Sequence, residues 1–580
     1  MKDGIEHSET QEYAKVREIF EILHGRATAD LLIRNVNILD VHGETVFPGT
    51  ILVHDKKIIG FSPDEAILQV KQIFDGRGLY AIPGLIDAHI HFESQLAHPV
   101  ALGEAMVAQG TTTIFAECLD LLSAAAGEGV EAARNLFRDH ELLPYRLFAF
   151  APGKKVDAAV TREVLKMDPV IGLGEFEHFT YSSGDEDDFR KAAWLRAQGG
   201  FMNAHWGVTA LDDMVLNYLP AIGASNNHDV WNEKDIEKSV RFGMPTQIKF
   251  GVGSAEVIKV LLRAIVDRKW PTDNFQLCTD NISIQRLLTM GHMDWIVSLC
   301  AEMGINPIHA IKMASYNTAR SFHMDHLIGS LAPGRFADIV LTDSLSRINP
   351  LHVFKDGELV AESRRMLKKS AEIDYSVMCK PAVKGAGDLM PAQLDLQPLE
   401  ISADGSQAKV LLFDVYGRGH LKFHQEVWVP YVDGRVLPEI DGVAHSRISV
   451  IQRYPTGERH VVNGLFRGVH VTRGAVATYW PAPHPYFVTV GQDSAEMCHA
   501  VQRVDSHAGA CIVTEGGQDK AVLPLEIYGV MANMTVAELT AAAHAIDAAL
   551  AELGNRNEGE PVVNKLLSLF ISLHRFRFLK

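Results

Sequence analysis

Six side chains of metal-ligating type each close a short apolar run: His89 and His91 in LYAIPGLIDAHIHFES, Glu175 in PVIGLGEFEHF, His205 in GFMNAHWG, His228 in AIGASNNHD and Asp280 in FQLCTDN. Residues i and i+2 of a strand point the same way, so His89 and His91 can grip one ion together. Four neutral imidazoles with two carboxylates suit zinc, iron or manganese, whereas calcium sites draw on oxygen alone. A carboxylate such as Glu175 can bridge two ions. Two ions held together lower the pKa of a shared water and supply hydroxide near neutral pH. Asp280 can take the proton of that water and pass it to a leaving nitrogen. The chemistry expected is metal-assisted hydrolysis at an electrophilic carbon.

The elements that must position these groups follow from the pattern around them. From Leu79 to Ile328 short apolar strands alternate with helical stretches such as EGVEAARNLFRDH and SAEVIKVLLRAIVDR, the signature of βα units around a parallel sheet. Residues 79–328 suit a (β/α)8 barrel, whose chemistry sits at the C-terminal ends of the strands, where all six candidates stand. At 580 residues the chain is too long for one core. A helix is expected from Thr10 to Arg26, and residues 1–78 with 329–379 form a small β-sandwich domain contributed by both flanks of the barrel. The stretch from Lys380 to Pro398 is rich in Pro, Gly and Ala and reads as a linker. Residues 399–580 follow as a C-terminal α+β domain. The fold class is therefore α/β, a hydrolase barrel with two accessory domains.

Composition removes several function classes. With 55 basic and 72 acidic residues the net charge is −17, which repels phosphate backbones, so no nucleic-acid partner is expected. No run of 18 apolar residues occurs and no apolar core follows a basic start, so neither a membrane span nor a secretion signal is expected and the protein is placed in the cytoplasm. The six cysteines are scattered and read as buried free thiols, Cys118 and Cys278 standing near strand ends. Gly516 and Gly517 read as a turn, and His98, His292, His323 and His424 as surface or capping residues.

The pieces PGLIDAHIH, GTTTIFAE, GLGE, the His205 and His228 segments, LCTDN, MASYNTARSF and GSLAPGRFADIVLTD resemble the amidohydrolase superfamily in their order. Within it the chain is similar to the adenine deaminase family, which uses a glutamate after the fourth strand where many relatives carry a carboxylated lysine; Glu175 matches it. The runs NGLFRGVHVTRGAVATYW, GQDSAEMCHAV and TEGGQDKAVLPLEIYGVM are similar to that family's extra domain. The resemblance implies His89, His91, Glu175 and Asp280 around one divalent ion and Glu175, His205 and His228 around a second, manganese or iron before zinc. It further implies catalytic work by Asp280, Glu175 and His228, with Asp280 as proton shuttle while a bridging hydroxide attacks the amino-bearing ring carbon. Glu93, Ser94, Glu177, His178 and Asp229 are the candidate contacts to a small heterocyclic substrate, and the assembly implied is a homodimer.

Several positions depart from that family's pattern. Asp-Pro-His-Glu becomes Glu117, Cys118, Leu119 and Asp120; Val-Met-Asn-Phe after the glutamate becomes Phe176, Glu177, His178 and Phe179; paired aspartates become Asp280 and Asn281; and WPAPHPYF retains only His484. Trp206, after His205, can stack on a planar ring or pack beneath the barrel mouth. Because buried polar groups discriminate between substrates, the reaction is better specified than the ring. Three readings follow: deamination of adenine or a related aminopurine, hydrolysis of another amino-heterocycle or cyclic amide, and a catalytically silent scaffold. Six converging ligands argue against the last.

Overall fold

The computed structural model describes residues 2–61, 65–154, 156–177, 183–205, 213–251, 255–380, 385–414, 424–453, 459–480, 486–556, 562 and 566. Its centre is an eight-stranded parallel sheet, β1 (Leu85–His91), β2 (Thr111–Glu117), β3 (Arg146–Pro152), β4 (Val170–Glu177), β5 (Phe201–His205), β6 (Ala224–Asn227), β7 (Thr246–Lys249) and β8 (Phe275–Cys278), hydrogen-bonded in sequence order. Every residue of β1 and β2 is buried, as expected for strands covered on both faces. In β1 the even-numbered Ile86, Ala88 and Ile90 are apolar, while Asp87, His89 and His91 alternate with them and share the other face. The sheet closes where Asp280 N donates to His89 O (2.8 Å) and His91 N to Asp280 O (3.1 Å). Barrel closure thus joins the first and last segments that carry candidate ligands.

A helix lies in each crossover, including Pro99–Val107, Gly129–Phe137, Ala158–Val164, Glu186–Gln198, Asp213–Ala221, Glu233–Arg241 and Ala255–Arg268. Side-chain caps explain where several begin: Asp185, Asn232 and Ser283 each accept a first-turn backbone N–H. The helices bury apolar faces such as Leu261, Leu262 and Ile265 against the barrel.

Both flanks contribute to one nine-stranded sheet. Ile339–Thr342 pairs antiparallel with Tyr80–Pro83, which also runs parallel to Thr28–Asp40, joining the strands before the barrel to those after it. The first helix spans Lys2–Leu23, starting earlier and ending sooner than its periodicity suggests, because Gly25 adopts a left-handed φ of 70° that stops it. The described part of the stretch read as a linker, residues 385–398, is packed instead: Ala386, Leu389 and Leu394 are buried, with a short 3-10 turn at Pro391–Leu394. Its apolar residues, spaced between the prolines, serve as anchors that composition alone hides.

A ten-stranded sheet with helices Ser494–Ser506 and Val536–Glu552 forms the C-terminal α+β part. The Gly516 and Gly517 pair turns between two of its strands, Ala510–Glu515 and Gln518–Pro524. This part meets the barrel directly. Ala532 N donates to Leu96 O (2.9 Å), five residues beyond His91, and Gln285 donates to Asp547 (3.2 Å). No described helix is long and apolar enough to cross a membrane.

Candidate metal centre

The ends of β1, β4 and β5 and the segments after β6 and β8 bring the six expected ligands together. Their shared point is Glu175 Oε1, which lies 3.2 Å from His91 Nε2, 3.2 Å from His228 Nε2, 3.4 Å from His205 Nδ1 and 3.6 Å from His89 Nε2. Asp280 Oδ1 lies 3.4 Å from His91 Nε2 and 3.7 Å from His89 Nε2. The donor atoms fall into two groups, His89, His91, Glu175 and Asp280, and Glu175, His205 and His228, each within 4.8 Å. His89 and His91 Nε2 are 3.2 Å apart, and His205 Nδ1 is 3.0 Å from His228 Nε2. Four imidazole nitrogens and two carboxylates converging in buried surroundings are a donor set that fits a divalent transition metal.

At His91 burial is outweighed by hydrogen bonds to Asp280 and Glu175, which raise its pKa well above the ordinary value, but at two other imidazoles burial prevails. It lowers the pKa of His89, and burial together with neighbouring His89 brings His228 down to about 3. Burial opposes ionisation of Glu175, but Lys154 and His205 outweigh it and hold that carboxyl well below its ordinary range. Asp280 behaves alike: burial resists, while Lys249 and His91 keep it ionised. Asp280 has a left-handed φ of 56°, uncommon outside glycine, so its placement is held by the closure bonds on either side rather than by local preference.

A polar shell fixes the ring orientations. The Asn203 amide nitrogen is 2.6 Å from His89 Nδ1 and 3.2 Å from Glu117 Oε1, and His205 Nε2 is 3.5 Å from Asp229 Oδ2. A carboxylate such as Asp229 favours a proton on the ring nitrogen it faces, which leaves the lone pair of His205 Nδ1 toward the centre. Beneath them the buried Asp87 accepts from the Thr279 backbone and hydroxyl and lies 3.2 Å from His292 Nε2. His292 is therefore a fully buried member of this shell, its Nδ1 2.8 Å from Thr111 Oγ1; it is not at the surface, and it stands at the N-cap position of helix Met293–Glu302 without a side-chain cap bond. His98 does cap a helix, accepting from Ala101 N, and His323 is exposed. His424 begins a strand, but its side chain, like His178, Trp206 and His484, lies outside the described residues.

The candidate substrate contacts occupy varied surroundings. Ser94 Oγ donates to His91 O at 3.0 Å, and Glu93 accepts Leu121 N at 2.7 Å. Burial and nearby Asp120 push the Glu93 carboxyl up to about 7; with His91 these two acids make a third buried group of convergent donors. Glu177 pairs with Lys154, and Asp229 accepts from Trp231 Nε1 (2.5 Å) and Lys249 Nζ (3.2 Å). Asn281 Nδ2 donates to Asp280 Oδ1 at 2.6 Å. Leu119 is buried, and burial raises the neighbouring Glu117 carboxyl well above its ordinary value, Glu175 adding to the effect.

Lys154, Lys249 and Asn203 carry no mark of their own in the sequence, and Glu117 stands out there only as a departure from the family's pattern. Three of them close or follow apolar strands, in FAFAPGK, TQIK and TTTIFAE, the same signal that marked Asp280.

The adenine deaminase C-terminal domain family model matches residues 421–573, and the amidohydrolase family model matches residues 254–360. An adenine deaminase of Desulforamulus reducens is 31% identical over 534 residues, covering 90% of this chain and 88% of that protein. One from Paracoccus denitrificans is 29% identical, covering 95% and 93%. Among solved structures, a zinc-bound adenosine deaminase from Xanthomonas campestris is 15% identical with a TM-score of 0.44, covering 60% of this chain and 96% of that one.

Proposed function

Because the chain belongs to the adenine deaminase family within the amidohydrolase superfamily, we propose that it hydrolyses adenine to hypoxanthine and ammonia at a centre of two divalent ions. The observation that carries this reading is the convergence of four imidazoles on Glu175 Oε1 with Asp280 beside them. His89, His91, Glu175 and Asp280 would hold one ion and Glu175, His205 and His228 the other. Bound there, the ions supply a nucleophile from water at neutral pH and act as Lewis acids toward the ring.

The chain's own residues do the rest. Asp280, ionised and held by Lys249 through Oδ2 (3.0 Å), is the proton carrier: it takes a proton from the attacking water and returns it to the departing amine. One water enters; the C–N bond breaks as a C–O bond forms, and ammonia leaves. His228, kept neutral by burial, contributes a lone pair and no proton. Glu93, Ser94, Glu177, His178 and Asp229 remain the candidate contacts to the ring. The reading takes manganese or iron as the ions, the cytoplasm as the compartment and a homodimer as the assembly. Ammonia release from a panel of aminopurines and aminopyrimidines tests it, with adenine expected to be turned over. Ring opening of a lactam with no ammonia from any member of the panel would overturn it.

A further inference from the structure

Lys154 belongs to none of the motifs read from the sequence, yet it touches the carboxylate on which the whole centre converges. Its position follows from the residue before it. Gly153 N donates to Gly174 O (2.8 Å), and a Cβ on Gly153 would stand 2.7 Å from Glu175 O, so only glycine lets the chain leaving β3 run this close to β4. Lys154, next in sequence, is thereby delivered to the side of Glu175 that faces away from the imidazoles. Its Nζ lies 2.6 Å from Glu175 Oε2 and donates also to Glu177 Oε1, and the side chain is only 14% exposed. The two oxygens of Glu175 therefore differ: Oε1 meets all four imidazoles, and Oε2 is held by an ammonium.

We propose that Lys154 is a positioning residue that restrains Glu175 so that this carboxylate is offered to both ions through Oε1 alone. The proposal rests on the two-ion reading above. Without the ammonium, the carboxylate can rotate about its terminal bond and present one oxygen to each ion. That changes the bridge between the ions. Glu177 supports Lys154 as its second anion, so its likeness to a substrate contact in the sequence has a second explanation in the Lys154 pair.

The test uses full-length protein reconstituted with manganese, followed by metal content, frozen-solution electron paramagnetic resonance and steady-state rates. Lys154→Met is expected to keep two ions but change the exchange coupling between them, with kcat falling roughly 10- to 100-fold, as when other outer partners of metal ligands are removed, and KM moving less. Lys154→Arg, which retains charge and donors, is expected to recover most of the wild-type spectrum; Lys154→Gln reports on the same coupling if methionine prevents folding. A coupled spectrum in Lys154→Met and Lys154→Gln identical to wild type would overturn the proposal. So would intact-mass detection of a carbamate on Lys154, which would make it a ligand. A wild-type spectrum of isolated single ions would instead overturn the two-ion reading itself.

Discussion

Replacing Lys249 with methionine isolates the electrostatics that hold Asp280. Lys249 Nζ lies 3.0 Å from Asp280 Oδ2 and 3.2 Å from Asp229 Oδ1, and all three side chains are at most 3% exposed. At an effective dielectric constant of about 20, attraction across such distances amounts to about 5 kcal/mol per contact before desolvation is subtracted. Removing one partner of a buried pair costs about 3–5 kcal/mol, because a charge is left uncompensated. Methionine keeps most of the stem, so the loss reports on charge rather than volume. It also removes the ammonium 4.2 Å from the Trp231 ring, a smaller contribution of about 1 kcal/mol. Urea unfolding of the chelated protein, followed by tryptophan fluorescence, should show Lys249→Met less stable by about 3–5 kcal/mol. Adding Asp229→Asn should restore part of that, since one stranded carboxylate disappears. Reloading with divalent ions should shrink the deficit, the ions beside Asp280 replacing the lost charge. A deficit below about 1 kcal/mol without metal would refute the reasoning, being no more than an exposed ion pair contributes. So would an equal deficit with and without metal.

Asp280→Asn should lower ammonia release at least about 100-fold with an unchanged circular dichroism spectrum, and an unaltered rate would remove Asp280 from proton transfer. His98, whose burial lowers its pKa from 6.5 to about 4, predicts a pH window. Above pH 6.5 it is neutral folded or unfolded; as pH falls toward 4 the unfolded chain takes up the proton first, so about 3 kcal/mol of stability is lost across that interval and no more below it. His98→Asn, which retains a cap acceptor but does not titrate, should flatten that part of the urea-midpoint profile; a profile parallel to wild type would contradict the assignment. Truncation after Lys380 removes the Ala532 bond to Leu96 and the Asp547 contact to Gln285, and should abolish turnover, whereas a soluble fragment with full activity would show the C-terminal part to be dispensable.

The barrel and its six convergent side chains were legible because each left a regular trace: His89 and His91 by strand alternation, and Glu175, His205, His228 and Asp280 by closing apolar runs. What escaped is the shell around them. Lys154 and Lys249 close or follow strands as Asp280 does, but a lone lysine carries no spacing that marks it as buried, and its partners lie on other strands. His292 is bound to Asp87 from 205 residues away in sequence, a pairing that only barrel closure creates. The packing near Pro391 is hidden in the sequence because the composition there is that of a linker, while its few apolar residues, Leu389 and Leu394, are buried. Candidate ligands on one strand are a local pattern; the charges beside them are brought in by tertiary structure.

Reconstitution of chelated protein tests the central claim most directly. Manganese is added stepwise while bound metal and ammonia release from adenine are measured together. The account predicts no turnover without metal and a rate that reaches its plateau at two ions per chain, the number for which His89, His91, Glu175, His205, His228 and Asp280 provide ligands. Full activity in metal-free protein, or a plateau at one ion, would contradict it.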